Sequence, residues 1–328
     1  MWPRDCDPAF CPSGEKSYRR PRCRRSIPPM RALCSFLLFG TFALAMPAAA
    51  SEKHVAEVLD RVLQSKRALE ASPTCKEGCV FLSAWDFDGT ILKGDASEGL
   101  SEDNHVVYPG LAQKSIEAGF SGLYKKTEFQ KFWHDYEEMD QKQGHIPAYT
   151  YLPKTMKGTK ADEIKKFAGN YYATVLKPYY FESSIDIFQK LKQSGVIPYV
   201  ISAAPHVFVS SSGPTLGIDE QHIFGIELAL TKDGVLTDRV IDPIPYAEGK
   251  AKRLAMIVDQ EKARSKKSVY VLASFGNSYH TDSGFLTWTL AQSFPVGKPL
   301  AVMINGGSAP AELTGKFFEV SQRAVLAK

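Results

Sequence analysis

The chain has 328 residues, of which 44% are hydrophobic and 23% charged. That composition excludes a disordered or fibrous protein and leaves room for one large globular domain or two of moderate size. The formal charge of +4 arises in the amino-terminal stretch: eight of the 40 Lys and Arg lie in the first 50 residues, against three of the 36 Asp and Glu. The remainder is close to neutral, so no basic stripe of the kind that binds nucleic acid is expected.

From Met30 the order is one basic residue, Arg31, the apolar run ALCSFLLFGTFALAM, and PAAAS, whose small residues suit cleavage after Ala50. This is the layout of a secretory signal peptide. The run is shorter than the roughly 20 residues a spanning helix needs. The mature chain is therefore expected to be exported, periplasmic or secreted, without a membrane span; a retained amino-terminal anchor is the alternative. Residues 1–29 fit neither a signal nor a fold and read as an upstream extension of the reading frame. Four of the six cysteines precede the cut, leaving Cys75 and Cys79 in TCKEGC. In an exported chain such a pair suggests a small-loop disulfide, with two free thiols as the competing reading. No second Cys pair or spaced His pair is present to complete a zinc site.

Between Ser51 and Glu70, Val55, Val58, Leu59, Val62 and Leu63 recur at helical spacing and predict an amphipathic helix. Four apolar runs, VFLSAW (80–85), VIPYVI (196–201), SVYVLASF (268–275) and LAVMI (300–304), read as buried strands. Their lack of alternation fits a parallel sheet covered on both faces. The segment SIDIFQKLKQSG puts Ile185, Phe188 and Leu191 on one helical face and ends at Gly195, and IELALTKDGVLT predicts a hairpin turning at Asp233-Gly234. Alternating strands and helices define an α/β doubly wound parallel sheet.

About ninety residues between the first two strands differ in character. Thr127-x-x-Gln130 and Thr159-x-x-Asp162 resemble helix-capping signals, each followed by helical periodicity. The expected layout is a leader (1–50), an amino-terminal helix and Cys loop (51–79), a core (80–92 and 184–328) and an inserted, mainly helical domain (93–183).

In open α/β sheets ligands bind at the carboxyl ends of the strands. There the sequence has Asp86 after the first strand, Ser202 after the second and Gly276-Asn277 after the third, with Lys250 between the last two. The motifs DFDGT, ISAAP, GKAKRL and GNSYHTD, in that order over residues 80–290, resemble the haloacid dehalogenase superfamily of phosphohydrolases, in particular its phosphoserine phosphatase branch. That resemblance implies a Rossmann-like core, a helical cap formed by the insertion, a Mg²⁺ cofactor and a small-molecule phosphate monoester as substrate.

The chemistry accounts for these residue types. Phosphate monoesters repel anionic nucleophiles, so hydrolysis needs a divalent cation and fixed donors around the phosphoryl group. Asp86 would attack phosphorus to form an aspartyl-phosphate, and Asp88 would donate a proton to the leaving alcohol and later accept one from water. Gly89 would allow the backbone to turn sharply between them and the rest of the motif. Ser202 and Lys250, rather than the nearby Lys252, would bind phosphoryl oxygens. Metal ligands are expected from Asp86, the main-chain carbonyl of Asp88, and either Asn277 or Asp282. Asn277 stands where the family pattern has Asp, which removes one negative charge from the site. The dehalogenases of the superfamily lack an acid at the position of Asp88, whereas its phosphatases carry one.

Two readings exist for Asp95: contact with a substrate amine, as the resemblance implies, or a loop acid. The aromatic residues of the insertion either cage a quaternary ammonium or, for Phe132, Tyr136 and Tyr172, form the core of the helical domain. His206 and His280 flank the second and fourth motifs as substrate contacts or as spacers. Rival activities on the same residues are a phosphotransferase using the same intermediate and a non-catalytic phosphate-ligand binder, the latter motivated by Asn277.

Overall fold

The computed structural model describes residues 48–326, with side chains from His54 onward. The expected signal peptide, as far as Pro47, lies outside them. A long helix, α1 (Ala48–Glu70), leads into a turn closed by a Cys75–Cys79 disulfide and then into β1 (Cys79–Trp85). Val55, Val58, Leu59, Val62 and Leu69 on α1 are buried, as their spacing requires.

The segment after β1 opens with a hairpin, β2 (Gly99–Glu102) and β3 (His105–Pro109). Four helices follow: α2 (Leu111–Ala118), α3 (Phe129–Gln143), α4 (His145–Lys154) and α5 (Ala161–Tyr171). The core resumes with α6 (Glu182–Gln193), β4 (Val196–Pro205), the short helices α7 (His206–Val209) and α8 (Gly213–Leu216), and the hairpin β5 (Ile223–Leu230) and β6 (Leu236–Ile241). It ends with α9 (Glu248–Ser265), β7 (Ser268–Gly276), α10 (Ser283–Leu290), β8 (Leu300–Ile304) and β9 (Phe318–Val320).

Seven strands form one sheet in the order β6-β5-β4-β1-β7-β8-β9, parallel throughout except for the antiparallel edge strand β6. The chain leaves β1 for β4 on one side and later returns to β7 on the other, so the carboxyl end of β1 is the topological switch point where such sheets bind ligands. Alternation along β1 feeds two cores: Phe81 and Trp85 pack into one with α1 and α6, Leu82 and Ala84 into the other with α9 and α10. Trp85 stacks on Phe275 of β7 at 3.7 Å between ring centroids, anchoring the base of the loop that follows.

The two crossings between core and insertion run side by side. Lys93 N–H donates to Tyr179 O and Phe181 N–H to Ile91 O, with Leu92 and Tyr180 bridged antiparallel. The insertion is also tied to the tip of the β5–β6 hairpin, where Gly158 and Ala161 N–H donate to Leu236 and Gly234 carbonyls and Leu236 N–H donates to Thr159 O. The hairpin's chain-reversing turn is thus a support for the inserted helices.

Two local expectations are corrected. Neither Thr127 nor Thr159 caps a helix: the residues preceding α3 and α5 are Glu128 and Lys160, without side-chain caps, and Thr159 Oγ1 instead donates to Phe120 O. The mainly helical insertion begins with the unpredicted β2–β3 hairpin, whose two-residue turn holds Asp103 and Asn104 at positive φ. Among the described residues no helix is long and apolar enough to cross a membrane.

Candidate active site

The loop leaving β1 is wound tightly around Phe87, whose carbonyl accepts from the N–H groups of Thr90, Ile91 and Leu92. Gly89 makes this possible with φ +73, and a Cβ there would come within 2.0 Å of the Asn277 side-chain amide. Only glycine suits both the left-handed backbone and the close approach. Asp86 and Asp88 therefore stand on opposite flanks of Phe87 at the switch point.

Asp86 is buried and is joined by Lys250, whose Nζ lies 2.6 Å from Asp86 Oδ1 and 2.5 Å from Asp282 Oδ1. Lys250 comes from the first turn of α9 and is itself buried. Burial alone would lower its pKa, but Asp282 and Asp86 hold it raised, so the side chain is an ammonium. Burial and the charge of Asp282 push Asp86 up, to about 7, against the opposing pull of Lys250. Thr90 Oγ1 donates to Asp86 Oδ2 at 3.3 Å. Asp88 is raised well above the carboxylate range by burial, then by Asp95 and Asp86. Its Oδ1 accepts from Ala96 N–H at 2.7 Å and its Oδ2 from Ser202 Oγ–H at 3.4 Å. The environment thus raises both carboxyl groups, with Lys250 opposing the rise at Asp86 most strongly.

Asp282 is fully occupied: Oδ1 meets Lys250, and Oδ2 accepts from the N–H groups of Asn277 and Ser278 at 2.9 Å each. It braces Lys250 and the turn after β7. The Asn277 amide faces Asp86 Oδ2 at 3.0 Å, the Asp88 main-chain carbonyl at 3.1 Å and Asp282 Oδ2 at 3.2 Å, and with its nitrogen turned toward them it is within hydrogen-bonding distance of all three. Among the described residues no group of three His, Cys, Asp or Glu side chains could hold a metal. The converging oxygens are Asp86 Oδ2, Asp282 Oδ2, the Asp88 main-chain carbonyl and, in one of the two amide orientations, the Asn277 oxygen. That all-oxygen set fits a small hard cation such as Mg²⁺, which keeps several waters.

Asp95 Oδ1 accepts from Ser97 and Glu98 N–H at 2.7 and 2.8 Å and shapes the loop after the motif, while its charge still acts on Asp88. Phe132 and Tyr136 lie in the core of the insertion, within a run of ring contacts that includes Tyr124 and Tyr151. Tyr172 instead reaches the loop after β1 and meets Phe87 edge-on at 5.7 Å. His206 is mostly buried, with Nε2 3.9 Å from Glu220, and His280 is exposed. Sequence reasoning did not single out Thr90, the Ala96 N–H or Gln322. Gln322 lies far along the chain, but its Nε2 donates to the Thr90 carbonyl at 2.9 Å.

A buried aspartate held by a lysine, beside a second, partly buried aspartate, a serine and an asparagine at the switch point of a mostly parallel sheet, is the arrangement of a hydrolase on a Rossmann-like core. The chain belongs to the haloacid dehalogenase-like hydrolases, whose family model matches residues 84–280. It carries the second aspartate, Asp88, that marks the phosphatases among them. No curated protein sequence matches it significantly. A protein of unknown function from Bordetella pertussis Tohama I is similar in structure, with a TM-score of 0.54 and 14% identity over 74% of this chain and 98% of that one. A functionally unknown protein from Anaerococcus prevotii DSM 20548 has a TM-score of 0.54 and 12% identity over 84% and 96% of the two chains. A phosphoserine phosphatase captured as a phospho-aspartyl intermediate analogue gives 0.40 and 15% identity over 75% and 94%. At these identities the first two likenesses show the fold.

Proposed function

We propose that this protein hydrolyses phosphate monoesters of small organic alcohols through an aspartyl-phosphate, with Mg²⁺ as cofactor. The observation that carries the reading is the buried contact of Lys250 with Asp86 beside a second carboxyl group, Asp88, whose pKa burial, Asp95 and Asp86 raise.

In the first step an oxygen of Asp86 attacks phosphorus, the bond from phosphorus to the alcohol oxygen breaks, and Asp88 gives that oxygen its proton. In the second, Asp88 takes a proton from water, the resulting hydroxide attacks phosphorus, and the bond to Asp86 breaks, releasing phosphate and restoring both carboxyl groups. Lys250 fixes the orientation of Asp86 and neutralises charge close to the phosphoryl oxygens, while Ser202 supplies a hydroxyl next to Asp88. Mg²⁺ held by Asp86, the Asp88 carbonyl and Asn277 would offset the charge of the transferring group. The insertion would act as the cap, bringing Asp95 and its aromatic side chains to the leaving-group side.

Export to the periplasm or exterior is part of this proposal. It is supported by the leader and by the Cys75–Cys79 disulfide, a bond that persists in oxidising compartments.

The test is phosphate release by residues 51–328, with and without Mg²⁺, from phosphoserine, phosphoethanolamine, phosphocholine, nucleotides and sugar phosphates. Metal-dependent release that disappears in Asp86→Asn, with the fold retained, is the expected result. Release that survives the substitution would rule out the aspartyl-phosphate route.

A further inference from the structure

An insertion joined to its core only by two crossing segments is free to turn about them as a lid. This one is fastened elsewhere as well. Residues 158–161, between α4 and α5, run antiparallel along the outer edge of the β5–β6 hairpin: Gly158 N–H donates to Leu236 O, Leu236 N–H to Thr159 O and Ala161 N–H to Gly234 O, each at 2.9 Å. Lys160 and Val235 face each other between these bonds as a bridged pair. Gly158 and Gly234 take positive φ, +90 and +74, which lets both chains reverse beside the ladder. Because β6 is the edge strand of the sheet, the insertion covers backbone groups that an edge leaves unpaired.

The fastening is anchored on both partners. Leu236 and Ala161, which carry two of the three donors, are buried. On the insertion's side Thr159 Oγ1 donates to Phe120 O at 3.0 Å and Gly122 N–H to Thr155 O at 2.8 Å, tying the segment back to its own domain. Lys157 and Asp238 pair at 2.5 Å on the exposed rim. Other elements add contacts: Lys165 of α5 pairs with Glu220, and Tyr149 of α4 meets Tyr246, shortly before Lys250 in the chain, edge-on at 5.4 Å. Lifting the insertion as a unit would break all of these together and strip main-chain donors and acceptors of their partners.

We propose that this short ladder is a permanent strap: the insertion keeps one position beside Asp88 through binding, chemistry and release, and does not swing away from the core in each cycle. A fixed insertion has a use at the site. Its first loop supplies the Ala96 N–H that holds Asp88 Oδ1 at 2.7 Å, so a still insertion keeps Asp88 oriented without an ordering step before each reaction. The kinetic side of this inference rests on the phosphatase reading; the ladder itself does not.

The test locks the strap. Lys160 and Val235 form a non-hydrogen-bonded antiparallel pair, a geometry that sets Cα atoms about 4.5 Å apart, within the span a disulfide bridges. Lys160 is exposed and Val235 half-buried, so the double variant Lys160→Cys/Val235→Cys leaves the core intact. Glutathione disulfide oxidises the two thiols and is itself reduced to two glutathione thiols. The cross-link should form, and kcat and kcat/KM of the oxidised variant should stay within about twofold of the reduced variant, with wild type in the same two buffers correcting for Cys75–Cys79. In wild type the amides of Gly158, Ala161 and Leu236 should exchange with deuterium at least about a hundredfold more slowly than unstructured amides. A larger loss of turnover on cross-linking would show that the strap parts in every cycle. Exchange of those amides at unstructured rates, or thiols that fail to pair, would remove the strap altogether. If wild type releases no phosphate from any ester with or without Mg²⁺, the phosphatase reading fails, and the exchange rates alone then support the fixed insertion or overturn it.

Discussion

Lys250 Nζ sits 2.6 Å from Asp86 Oδ1 in a contact that solvent hardly reaches, with Asp282 completing the ammonium's surroundings at 2.5 Å. One cation thus holds two buried carboxylates. Lys250→Met would leave both uncompensated and should destabilise the metal-free protein by about 3–5 kcal/mol. Adding Asp282→Asn removes one of the stranded charges and should recover part of that loss. Urea denaturation of the two single variants and the double variant measures this directly; strictly additive effects would show that the three groups do not act as a unit.

A second prediction concerns Gln322, near the carboxyl end of the chain. Its Nε2 donates to the Thr90 carbonyl at 2.9 Å, and its main chain exchanges two hydrogen bonds of 2.9 Å with the Asn305 side chain. Ser184 Oγ donates to the same Thr90 carbonyl at 2.6 Å, and Ser183 pairs with the Gln322 amide oxygen. Because Thr90 Oγ1 reaches Asp86, the network supports the proposed nucleophile from behind. Gln322→Leu should cost about 1–3 kcal/mol of stability and lower kcat more than it raises KM. Gln322→Asn, which keeps an amide on a shorter arm, should be the milder change. Equal kcat in wild type and Gln322→Leu would confine Gln322 to a structural role.

How far the sequence disclosed this arrangement depended on the strength of the local signal. The unbroken apolar runs of β1, β4, β7 and β8 could hardly be anything but strands buried on both faces, and the four motifs fell at strand and helix ends because the fold requires polar residues there. The β2–β3 hairpin was hidden by the shortness of its strands, four and five residues, although Asp103-Asn104 is the kind of pair that tolerates two consecutive positive φ angles. The Thr-x-x-acid or amide patterns were misleading because tertiary contacts claimed Thr159 first. Gln322 and the Ala96 N–H carry no periodicity at all; only the folded chain brings them to Thr90 and Asp88.

Acid should destabilise the protein in part through His206. Burial holds its imidazole below the ordinary value of 6.5, with Glu227 and Glu220 pulling the other way and Lys165 and Arg253 adding to the depression. The unfolded chain then binds more protons than the folded one as pH falls past about 6.5. This contribution is fully present above that pH and is lost as pH falls through the folded pKa. His206→Asn should therefore narrow its melting-temperature deficit relative to wild type as pH falls from about 8 to 5. Some acid sensitivity should persist, because half-buried His222 is depressed by the same cause. A deficit unchanged over that range would mean that His206 titrates alike in both states.

The cation site offers the sharpest contrast between two states of one side chain. One end of the Asn277 amide meets Asp86 Oδ2, the Asp88 carbonyl and Asp282 Oδ2: with the nitrogen there it would donate to all three, and with the oxygen there it would stand among a cation's oxygen ligands. A bound cation would take the oxygen end and forgo the hydrogen bonds of the other orientation, and Asn277 brings no charge to the ion. Asn277→Asp should bind Mg²⁺ roughly tenfold more tightly, about 1.4 kcal/mol, because ligand charge sets affinity for such ions. Without metal the same variant sets a new carboxylate against Asp86 and Asp282 with no donor between them, so its melting temperature should fall below that of wild type and recover as Mg²⁺ is added. Titration calorimetry with Mg²⁺ alone and melting curves across a Mg²⁺ series measure both effects without any substrate. Unchanged affinity together with an unchanged metal-free melting temperature would show that Asn277 does not face the cation.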